Sequence, residues 1–461
     1  MAERKIPVAS VQTIAHDLRD FEQCWPRICH AVEEAAARGA RLIVVPEGTV
    51  PAYVIGTGDL DVATLERAFE NVSRIARTYG ATIVYGSAHV QDGHAYNTGT
   101  VVGPGGGVAG RAEKHLLWHF DERWFARGRS LEPIDTPLGR LGVLICADGR
   151  LPTLARALVE RGAEILVVPT AWVTSGRDPD VLENVQADLM AAVRARENCV
   201  PLVAANKAGV ELSAVAYCGK SAIIDARGDV LARAGQHDAE TLFAEVVIGG
   251  DQRRAAAPLV WETDAVQGER RRCRFGITAE SDERVLDDLA RTAAFADVDV
   301  LIGAGRTDDA SVSPERFGCG VARGEVVARS GLAFGRVRNA NVFDPGALAA
   351  ARERGIDFFV WTIDEPLEER WQTAFARTRA AELRAYVVVV DAIATKRAFA
   401  VDPDGAVACG TFGDFRLAQF AYDRSRTEAT LVAPRTDILA GLRSVQRIEH
   451  ERRHDAALRR V

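Results

Sequence analysis

The sequence feature that most constrains the fold is a repeat of five segments, which occur in the same order in both halves of the chain. The second copy is shorter than the first, chiefly between its first two segments, which match those that contain Glu47 and Lys114 in the first copy. The paired segments, with the first-half member first, are ARLIVVPEGT and VDVLIGAGRT, GGVAGRAEKH and GEVVARSGLA, RGAEILVVPTAW and RGIDFFVWTIDE, RARENCVPLVAANK and RAAELRAYVVVVDA, and SAIIDARGDVL and AFAVDPDGAVA. The repeat predicts two copies of one fold in tandem.

Strand and helix patterns alternate along the first copy. The apolar runs KIPVASVQT and RLIVVP are typical of buried strands, and FEQCWPRICHAVEEAAARG has the spacing of an amphipathic helix that ends at Gly39. NTGTVVGP and GVAGRAEKH flank a GPGGG turn, which is typical of a β-hairpin. This alternation predicts a sheet-centred α/β fold with helices on the outside.

The length of 461 residues exceeds that of one ordinary hydrophobic core. Residues 249–272 are polar, charged and rich in turn formers, and we interpret them as a linker. The sequence therefore predicts a first domain over residues 1–248 and a second domain over residues 273–461. The second domain ends in a charge-rich tail with an excess of arginine.

Composition excludes several classes of protein. A formal net charge of −7 argues against a nucleic-acid-binding protein or a basic membrane-surface protein. The N-terminus lacks the pattern of a secretory signal, and no apolar run reaches the length of a membrane span. The eight cysteines are scattered and form no Cys-x-x-Cys pair, which predicts reduced thiols in a cytoplasmic protein.

Three chemically reactive residues each follow a predicted strand of the first copy. Glu47 follows LIVVP, Lys114 follows VAGRAE and Cys146 follows GVLI. Ligands gather at the carboxyl ends of parallel strands, so these side chains are expected to meet. A thiol nucleophile, a carboxylate base and a cation for an oxyanion together form a nucleophilic catalytic set. Taken singly, the three residues are equally typical of a turn acid, a hairpin lysine and a buried thiol.

In its motifs the first half resembles the nitrilase, or carbon–nitrogen hydrolase, superfamily from about residue 4 to residue 248. The Glu-Lys-Cys triad of that family falls on Glu47 in VVPEG, Lys114 in AEKHL and Cys146 in LICADGRLP. A second family glutamate matches Glu122 in FDERWFARG. The resemblance implies a four-layer α-β-β-α sandwich, present here as a tandem pair. It also implies hydrolysis of a non-peptide C–N bond through a thioester, with no metal and no cofactor.

The resemblance also implies roles for individual residues. Cys146 is the expected nucleophile, and Glu47 is the expected general base that later protonates the leaving ammonia or amine. Lys114 and the backbone N–H of Ala147 are expected to hold the oxyanion, while Glu122 orients Lys114 or the substrate. Three further residues lie in segments that line the acyl pocket in this family: Tyr53, Trp172 and Val173.

The second copy has lost these residues in the sequence alignment. Gly305 stands where Glu47 is expected and Leu332 where Lys114 is expected, and no cysteine lies between Cys319 and Cys409. Glu382 still matches Glu197, which favours a structural role for Glu197. We interpret the second half as an inactive copy that forms an intramolecular pseudo-dimer with the first, and a further homo-oligomer is left open.

The substrate is expected to be a small amide, ureido compound or nitrile, with neither nucleic acid nor membrane as a partner. The Ala147-Asp148-Gly149 sequence after the nucleophile favours an amidase or an N-carbamoyl hydrolase. Nitrile hydrolysis and acyl or amide-nitrogen transfer use the same triad and stay open. The non-enzyme alternative is a binding pseudoenzyme, against which the intact triad argues.

Overall fold

A computed structural model of the chain describes residues 3–56, 60–249, 271–304, 315–318, 326–329, 332–445 and 447–448. These residues divide into two compact units, of which unit 1 holds the chain up to residue 249 and again from Val432 onward. Unit 2 runs from residue 271 to Leu431. The structure thus differs from the predicted second domain, residues 273–461, because the chain beyond Leu431 packs with unit 1. The predicted linker lies almost entirely outside the described residues.

Unit 1 alternates strands and helices along the chain. Its helices are α1 (Phe21–Ala37), α2 (Val62–Tyr79), α3 (Pro152–Glu160) and α4 (Ala191–Asn198). Its strands are β1 (Arg4–Ile14), β2 (Leu42–Val44), β3 (Thr82–Gln91), β4 (His94–Val102), β5 (Val108–Glu113), β6 (Ile134–Thr136), β7 (Gly139–Val143), β8 (Ile165–Pro169), β9 (Leu202–Ala205), β10 (Lys207–Glu211), β11 (Val215–Cys218), β12 (Ala222–Ile224), β13 (Val230–Arg233) and β14 (Glu240–Ile248). Short 3-10 turns cover Leu18–Asp20, Asp121–Arg123 and Cys146–Arg150, and a π-helical turn, Gln186–Met190, leads into α4.

Local chemistry explains where these elements end. The Asp61 side chain accepts the N–H of Ala63 and so caps the start of α2. Gly80 ends the same helix in the left-handed region, with φ +62°, where a side chain would be strained. Pro152 stands at the first position of α3, where its missing N–H costs no hydrogen bond.

The strands of unit 1 form two sheets. The first sheet has the order β11-β10-β1-β2-β3-β4-β5, with β14 also paired to β1. The second sheet has the order β13-β12-β9-β8-β7-β6. In the second sheet β7, β8 and β9 are parallel neighbours, and the outer pairs are antiparallel. In the first sheet β10, β1, β2 and β3 are parallel neighbours. Both sheets thus have a parallel centre, and ligands commonly bind at the carboxyl ends of such strands.

The two sheets of unit 1 pack face to face. Val8 and Val44 of the first sheet share one buried core with Val143, Val167 and Val203 of the second. The apolar faces of α1 and α2 cover the outer side of the first sheet. Helices α3 and α4 lie on the second sheet. Unit 1 is therefore the α-β-β-α sandwich that the resemblance implied, and none of its described helices is long and apolar enough to span a bilayer.

Unit 2 has the same kind of architecture. Its helices are α5 (Glu283–Phe295), α6 (Asn339–Val342), α7 (Pro345–Glu353), α8 (Glu369–Leu383) and α9 (Arg424–Glu428). Its strands are β15 (Arg272–Ile277), β16 (Val300–Gly303), β17 (Glu315–Gly318), β18 (Val326–Arg329), β19 (Leu332–Val337), β20 (Phe358–Thr362), β21 (Tyr386–Asp391), β22 (Arg397–Val401), β23 (Val407–Gly410) and β24 (Ala418–Asp423). They form the sheets β17-β16-β15-β24 and β18-β19-β20-β21-β22-β23, which share one aromatic core. A final hairpin, β25 (Leu431–Ala433) and β26 (Thr436–Asp437), leads the chain back into unit 1.

The strand pairing of unit 2 repeats that of unit 1. The sheet β18-β19-β20-β21-β22-β23 of unit 2 corresponds strand by strand to the sheet β6-β7-β8-β9-β12-β13 of unit 1. In both sheets the second and third pairs of neighbouring strands are parallel, and the other three pairs are antiparallel. Leu166 pairs with Leu202 in unit 1, and Phe359 pairs with Val387 in unit 2. These are equivalent positions in the aligned segments, so the register supports the predicted alignment there.

The alignment around Leu332 differs from the prediction. Leu332 begins β19, which pairs with β18 on one side and with β20 on the other. This is the place of Gly139 at the start of β7, not that of Lys114. Only residues 319–325 separate β17 from β18, whereas residues 92–133 separate β3 from β6 and include the hairpin that ends at Lys114. The chain between β17 and β18 is too short to hold such a hairpin and loop. Gly305, the predicted match of Glu47, lies outside the described residues.

Candidate active site

The structure brings Glu47, Lys114 and Cys146 together at one buried point of unit 1. Glu47 follows β2, Lys114 follows β5 and Cys146 opens the 3-10 turn after β7. All three side chains are buried. The Lys114 Nζ donates to Glu47 Oε1 at 2.7 Å, and the Asn97 amide donates to the same oxygen at 2.7 Å. The other carboxylate oxygen, Glu47 Oε2, is buried and has no hydrogen-bond partner, and the Cys146 thiol lies near enough to affect the pKa of this carboxyl.

A second carboxylate contacts Lys114, and it belongs to Asp121. The Lys114 Nζ donates to Asp121 Oδ2 at 2.5 Å, and the Trp118 N–H donates to the same oxygen at 3.0 Å. Glu122, the residue predicted from the resemblance, instead accepts from Arg127 at 2.7 Å, and its side chain is 34% exposed. The geometry therefore corrects the prediction by one residue: Asp121, not Glu122, orients Lys114. On the 3-10 turn Asp121–Arg123 the two side chains diverge.

Burial and the neighbouring charges set the protonation of the site. Burial raises the pKa of Glu47, against the opposing effect of the Lys114 ammonium. Burial lowers the pKa of Lys114, but the Asp121 and Glu47 carboxylates outweigh it and hold this pKa well above its ordinary value. Burial and the Glu47 charge raise the pKa of the Cys146 thiol, which Lys114 opposes. The resting site is therefore a neutral thiol beside a carboxylate whose raised pKa suits it to accept a proton.

The backbone at Cys146, the predicted nucleophile, is strained. Cys146 has φ +46°, a left-handed conformation that side-chain-bearing residues rarely adopt. Asp148 holds this turn by accepting from the N–H groups of Ile145, His115 and Leu116 at 3.1, 3.0 and 2.7 Å. Asp148 thus ties the turn that carries Cys146 to the segment that follows Lys114. In the sequence, Asp148 indicates only the branch of the family.

Ala147, the predicted oxyanion residue, follows Cys146 in the chain, and Tyr53, a predicted pocket residue, lies beside Lys114. Ala147 is buried in the first turn of the Cys146–Arg150 3-10 segment, where backbone N–H groups have no intrahelical acceptor. Tyr53 packs in a cluster with Tyr217 and Val173, and its ring centroid lies 5.7 Å from Lys114 Nζ. Trp172 is buried, and its N–H donates to Asn206 Oδ1 at 2.7 Å. An aromatic pair, Tyr53 and Tyr217, therefore lies beside Lys114, with the ring centroids 6.2 Å apart.

Comparison with known proteins identifies the family. Residues 7–252 match the family model described as carbon-nitrogen hydrolase. The chain belongs to the carbon–nitrogen hydrolase family. It is an enzyme of the class that acts on non-peptide C–N bonds.

Among the relatives of this carbon–nitrogen hydrolase are nitrilases and amidases. A probable nitrilase of Schizosaccharomyces pombe is 31% identical over 221 residues, which cover 47% of this chain and 78% of the relative. An omega-amidase of Xenopus laevis is 29% identical over 239 residues, which cover 49% and 81%. A solved amidase from Nesterenkonia sp. shares 24% identity at a TM-score of 0.47, with 52% of this chain and 89% of that chain covered.

The carbon–nitrogen hydrolase unit also contains a second buried ion pair, which the sequence pattern does not predict. Lys207 Nζ lies 3.5 Å from Glu211 Oε2 and donates to the carbonyl of Gly48, the residue after Glu47, at 2.8 Å. Glu211 accepts from the Val54 N–H and from the Tyr217 hydroxyl, each at 2.7 Å. The pair thus holds both ends of the segment that follows Glu47 and carries Tyr53. Its only sequence signal is two charges in ANKAGVE, directly after a buried apolar run.

Unit 2 lacks the nucleophile at the equivalent place. If the second-sheet strands are aligned, Asn339 at the start of α6 occupies the position of Cys146. Asn339 accepts from the Trp361 indole at 3.0 Å and donates to the Glu365 carbonyl at 2.9 Å, so its side chain is fully engaged in structure. The Arg338 N–H donates to Asn341 Oδ1 at 2.9 Å, which repeats the bond between Ile145 and Asp148.

A buried arginine–glutamate pair is common to both units. In unit 1, Arg194 donates to Glu197 at 2.8 Å and to the Gly149 carbonyl at 2.9 Å. In unit 2, Arg379 donates to Glu382 at 2.8 Å and to the carbonyl of Val342, at the equivalent place, at 2.9 Å. The geometry supports the structural role predicted for Glu197. Among the described residues of either unit, no cluster of histidine, cysteine or carboxylate side chains is arranged to hold a metal ion.

Proposed function

We propose that this chain hydrolyses a carboxamide or N-carbamoyl C–N bond through a thioester on Cys146. The observation that carries the proposal is the meeting of Glu47, Lys114 and Cys146 in one buried site. There the free oxygen of Glu47 and the thiol are neighbours. A carboxylate, a thiol and an ammonium in this arrangement supply a base, a nucleophile and a stabiliser of negative charge.

In the first step Glu47 accepts the thiol proton while the Cys146 sulfur attacks the carbonyl carbon of the substrate. The C=O double bond becomes an oxyanion, which the Lys114 ammonium and the Ala147 N–H stabilise. Asp121 keeps Lys114 protonated and oriented, because its carboxylate is the shortest contact of that ammonium. Removal of an oxyanion stabiliser typically costs about 10²- to 10³-fold in kcat.

In the second step the oxyanion collapses and the C–N bond breaks. Glu47 returns its proton to the leaving nitrogen, so ammonia or an amine departs and the acyl group stays on sulfur as a thioester. Water then attacks the thioester carbon while Glu47 accepts a proton from that water. The C–S bond breaks, the thiolate recovers the proton from Glu47, and a carboxylic acid leaves.

The amide branch is favoured over the nitrile branch by Ala147-Asp148-Gly149 after the nucleophile, as the sequence analysis indicates. The relatives include both proteins named omega-amidase and proteins named nitrilase. Unit 2 is proposed to be an inactive copy, a proposal supported by Asn339 at the position of Cys146 and by the short chain between β17 and β18. Its pairing with unit 1 as a pseudo-dimer and the cytoplasmic location stay predictions.

Intact-protein mass spectrometry tests the proposed reaction. Glu47→Gln is incubated with a panel of amides, ureido acids and nitriles, and the variants Glu47→Gln/Cys146→Ala and Glu47→Gln/Cys218→Ala serve as a matched pair. Cys218 is also a buried thiol of unit 1, but it is the last residue of β11, whereas Cys146 follows β7. An adduct equal in mass to an amide substrate minus ammonia is expected, lost with Cys146→Ala and kept with Cys218→Ala. An adduct of the whole nitrile mass would indicate nitrile chemistry. Neither adduct nor ammonia from any substrate, with the wild-type protein folded, would refute the proposal.

A further inference from the structure

The chain returns to unit 1 after it has completed unit 2. Residues 432–445, here called the C-terminal segment, belong to unit 1 although the whole of unit 2 precedes them in sequence. Residues 438–445 are helical, and Asp437 caps this helix by accepting the N–H of Ala440 at 2.9 Å. Four apolar side chains of the segment are buried: Ile438, Leu439, Leu442 and Val445. The segment is therefore an integral part of the packed unit.

One hydrogen bond joins the C-terminal segment to the loop that follows Lys114. The N–H of His119 donates to the Oγ1 of Thr436 at 2.8 Å, and Thr436 is buried. His119 has φ +53°, a conformation that a histidine keeps only when its surroundings hold it. The neighbouring Trp118 N–H donates to Asp121 Oδ2, the oxygen that contacts Lys114. A shift of the backbone at His119 therefore reaches the catalytic lysine within two contacts.

A second contact lies further along the same segment. A side chain at Gly441 would place its Cβ 3.0 Å from Leu116 and 3.3 Å from Leu151. Leu116 lies two residues after Lys114, and its N–H donates to Asp148. Leu151 directly follows the 3-10 turn that starts at Cys146. The backbone of the C-terminal segment thus lies against the loop of the lysine and the turn of the nucleophile together.

We propose that the C-terminal segment positions the loop over residues 114–121, and that Thr436 is a positioning residue for Lys114 and Asp121. This rests on the proposed function, because the loop is argued to hold the oxyanion stabiliser of that reaction. The physical reason is geometric: a displacement of about 1 Å in a catalytic group can cost about 10²-fold in rate. The loop has no regular secondary structure from Lys114 to Phe120, so its shape depends on contacts such as that of Thr436. The chain beyond unit 2 thereby becomes part of the active-site framework of unit 1.

The test compares Thr436→Val, which removes the acceptor at nearly constant shape, with Thr436→Ser, which keeps it. Thr427→Val is the matched control, because Thr427 is a buried threonine of unit 2 whose hydroxyl donates to Asp357 at 2.6 Å. The measurements are kcat and KM on a substrate found by the adduct panel, and amide hydrogen exchange of peptides covering 115–121. Thr436→Val is expected to lower kcat about tenfold or more with little change in KM, and to speed exchange in that loop about tenfold. Thr436→Ser should restore both, and Thr427→Val should change neither.

Wild-type kcat in Thr436→Val would overturn the proposal, whether or not the loop exchanges faster. An equal loss of kcat in Thr427→Val would also overturn it, because the effect would then be general destabilisation. If the wild-type chain hydrolyses no substrate of the panel, the proposed function fails, and the rate of Cys146 alkylation by iodoacetamide replaces kcat. An alkylation rate and a loop exchange rate in Thr436→Val equal to those of wild type would then overturn the positioning role. Gly441→Leu, which forces the segment away from Leu116 and Leu151, is the second variant and should reproduce the Thr436→Val phenotype.

Discussion

The contact between Asp121 and Lys114 gives the sharpest test of the site, since the neighbouring Glu122 provides a matched control. Asp121→Asn preserves the shape of the side chain but removes a negative charge that lies 2.5 Å from the Lys114 Nζ. At an effective dielectric constant of about 20, two unit charges at this distance interact by about 6 to 7 kcal/mol. Desolvation offsets part of this, and breaking one partner of a buried pair costs about 3–5 kcal/mol in practice.

The expected effect on activity follows from these energies. If Asp121→Asn raises the activation free energy by about 3 kcal/mol, kcat falls about 10²-fold. Glu122→Gln removes only an ion pair with Arg127 at the surface, for which less than about 1 kcal/mol is expected. Its kcat should stay within about twofold of wild type.

The pH dependence of kcat gives an independent test, because Asp121→Asn should shift it in one direction only. The Asp121 and Glu47 carboxylates hold the pKa of Lys114 well above its ordinary value, and the ammonium form is the one that stabilises an oxyanion. Activity that depends on this ammonium is therefore present below its pKa and is lost as the pH rises through it. Loss of Asp121 lowers that pKa, so the alkaline limb of the kcat profile should move to lower pH in Asp121→Asn.

The assay is steady-state ammonia release by wild type, Asp121→Asn and Glu122→Gln from about pH 6 to about pH 10, with urea unfolding as the check on folding. Wild type is expected to show no alkaline limb in this range, because the pKa of Lys114 lies well above its ordinary value. A folded Asp121→Asn with wild-type kcat and no alkaline limb in the same range would refute the argument. A loss of about tenfold or more in Glu122→Gln alone would restore the prediction made from the sequence.

Three further predictions concern other parts of the structure. Lys207→Met should lower kcat about tenfold, because it removes the hydrogen bond to the Gly48 carbonyl and so loosens the segment after Glu47. Thermal unfolding of the variant shows whether the loss of activity comes from global unfolding instead. Because burial and the Glu47 charge raise the pKa of Cys146, its alkylation by iodoacetamide should still accelerate at about pH 10, where an ordinary thiol with a pKa of about 8.5 has levelled off. A plateau at or below about pH 10 would contradict the raised pKa. Asn339→Cys in a Cys146→Ala background should leave ammonia release at the level of Cys146→Ala, since the described part of unit 2 offers no lysine hairpin beside that position.

That the three reactive residues lie close together can be predicted from the sequence, because each of them follows a predicted strand. The apolar runs before Glu47 and Cys146 predict buried strands. In the structure these strands, β2 and β7, belong to two sheets that pack face to face, so the residues meet across the sandwich and not at the edge of one sheet. The choice between Asp121 and Glu122 is of another kind. The two residues are adjacent on an irregular turn, where no periodicity tells which side chain points inward. Only the backbone path between Trp118 and Phe125 decides it.

The misplacement of Leu332 has a similar cause. GEVVARSGLA and GGVAGRAEKH have similar apolar patterns and turn residues, but strand register depends on the partners that lie beside a strand in space. In the structure β19 pairs with β20 in parallel, and this pairing fixes Leu332 as the counterpart of Gly139. Lys207 and Glu211 escaped notice for a related reason. A separation of four residues brings side chains together on a helix, whereas here Gly209, with φ +83°, interrupts the alternation of the strand.

The features that the two units share separate the needs of the fold from those of the chemistry. A buried arginine is present at the equivalent place in both units. Arg194 donates to the carbonyl of Gly149 in the turn after β7, and Arg379 donates to the carbonyl of Val342 after β19. This arginine persists in unit 2, where Asn339 replaces the nucleophile, so this contact serves the fold. The left-handed φ of Cys146 has no counterpart, because Asn339 begins the regular helix α6. Strained backbone is costly and is kept where a function requires it. The strain at Cys146 therefore distinguishes unit 1, the copy proposed to be catalytic, from unit 2, the copy proposed to be inactive.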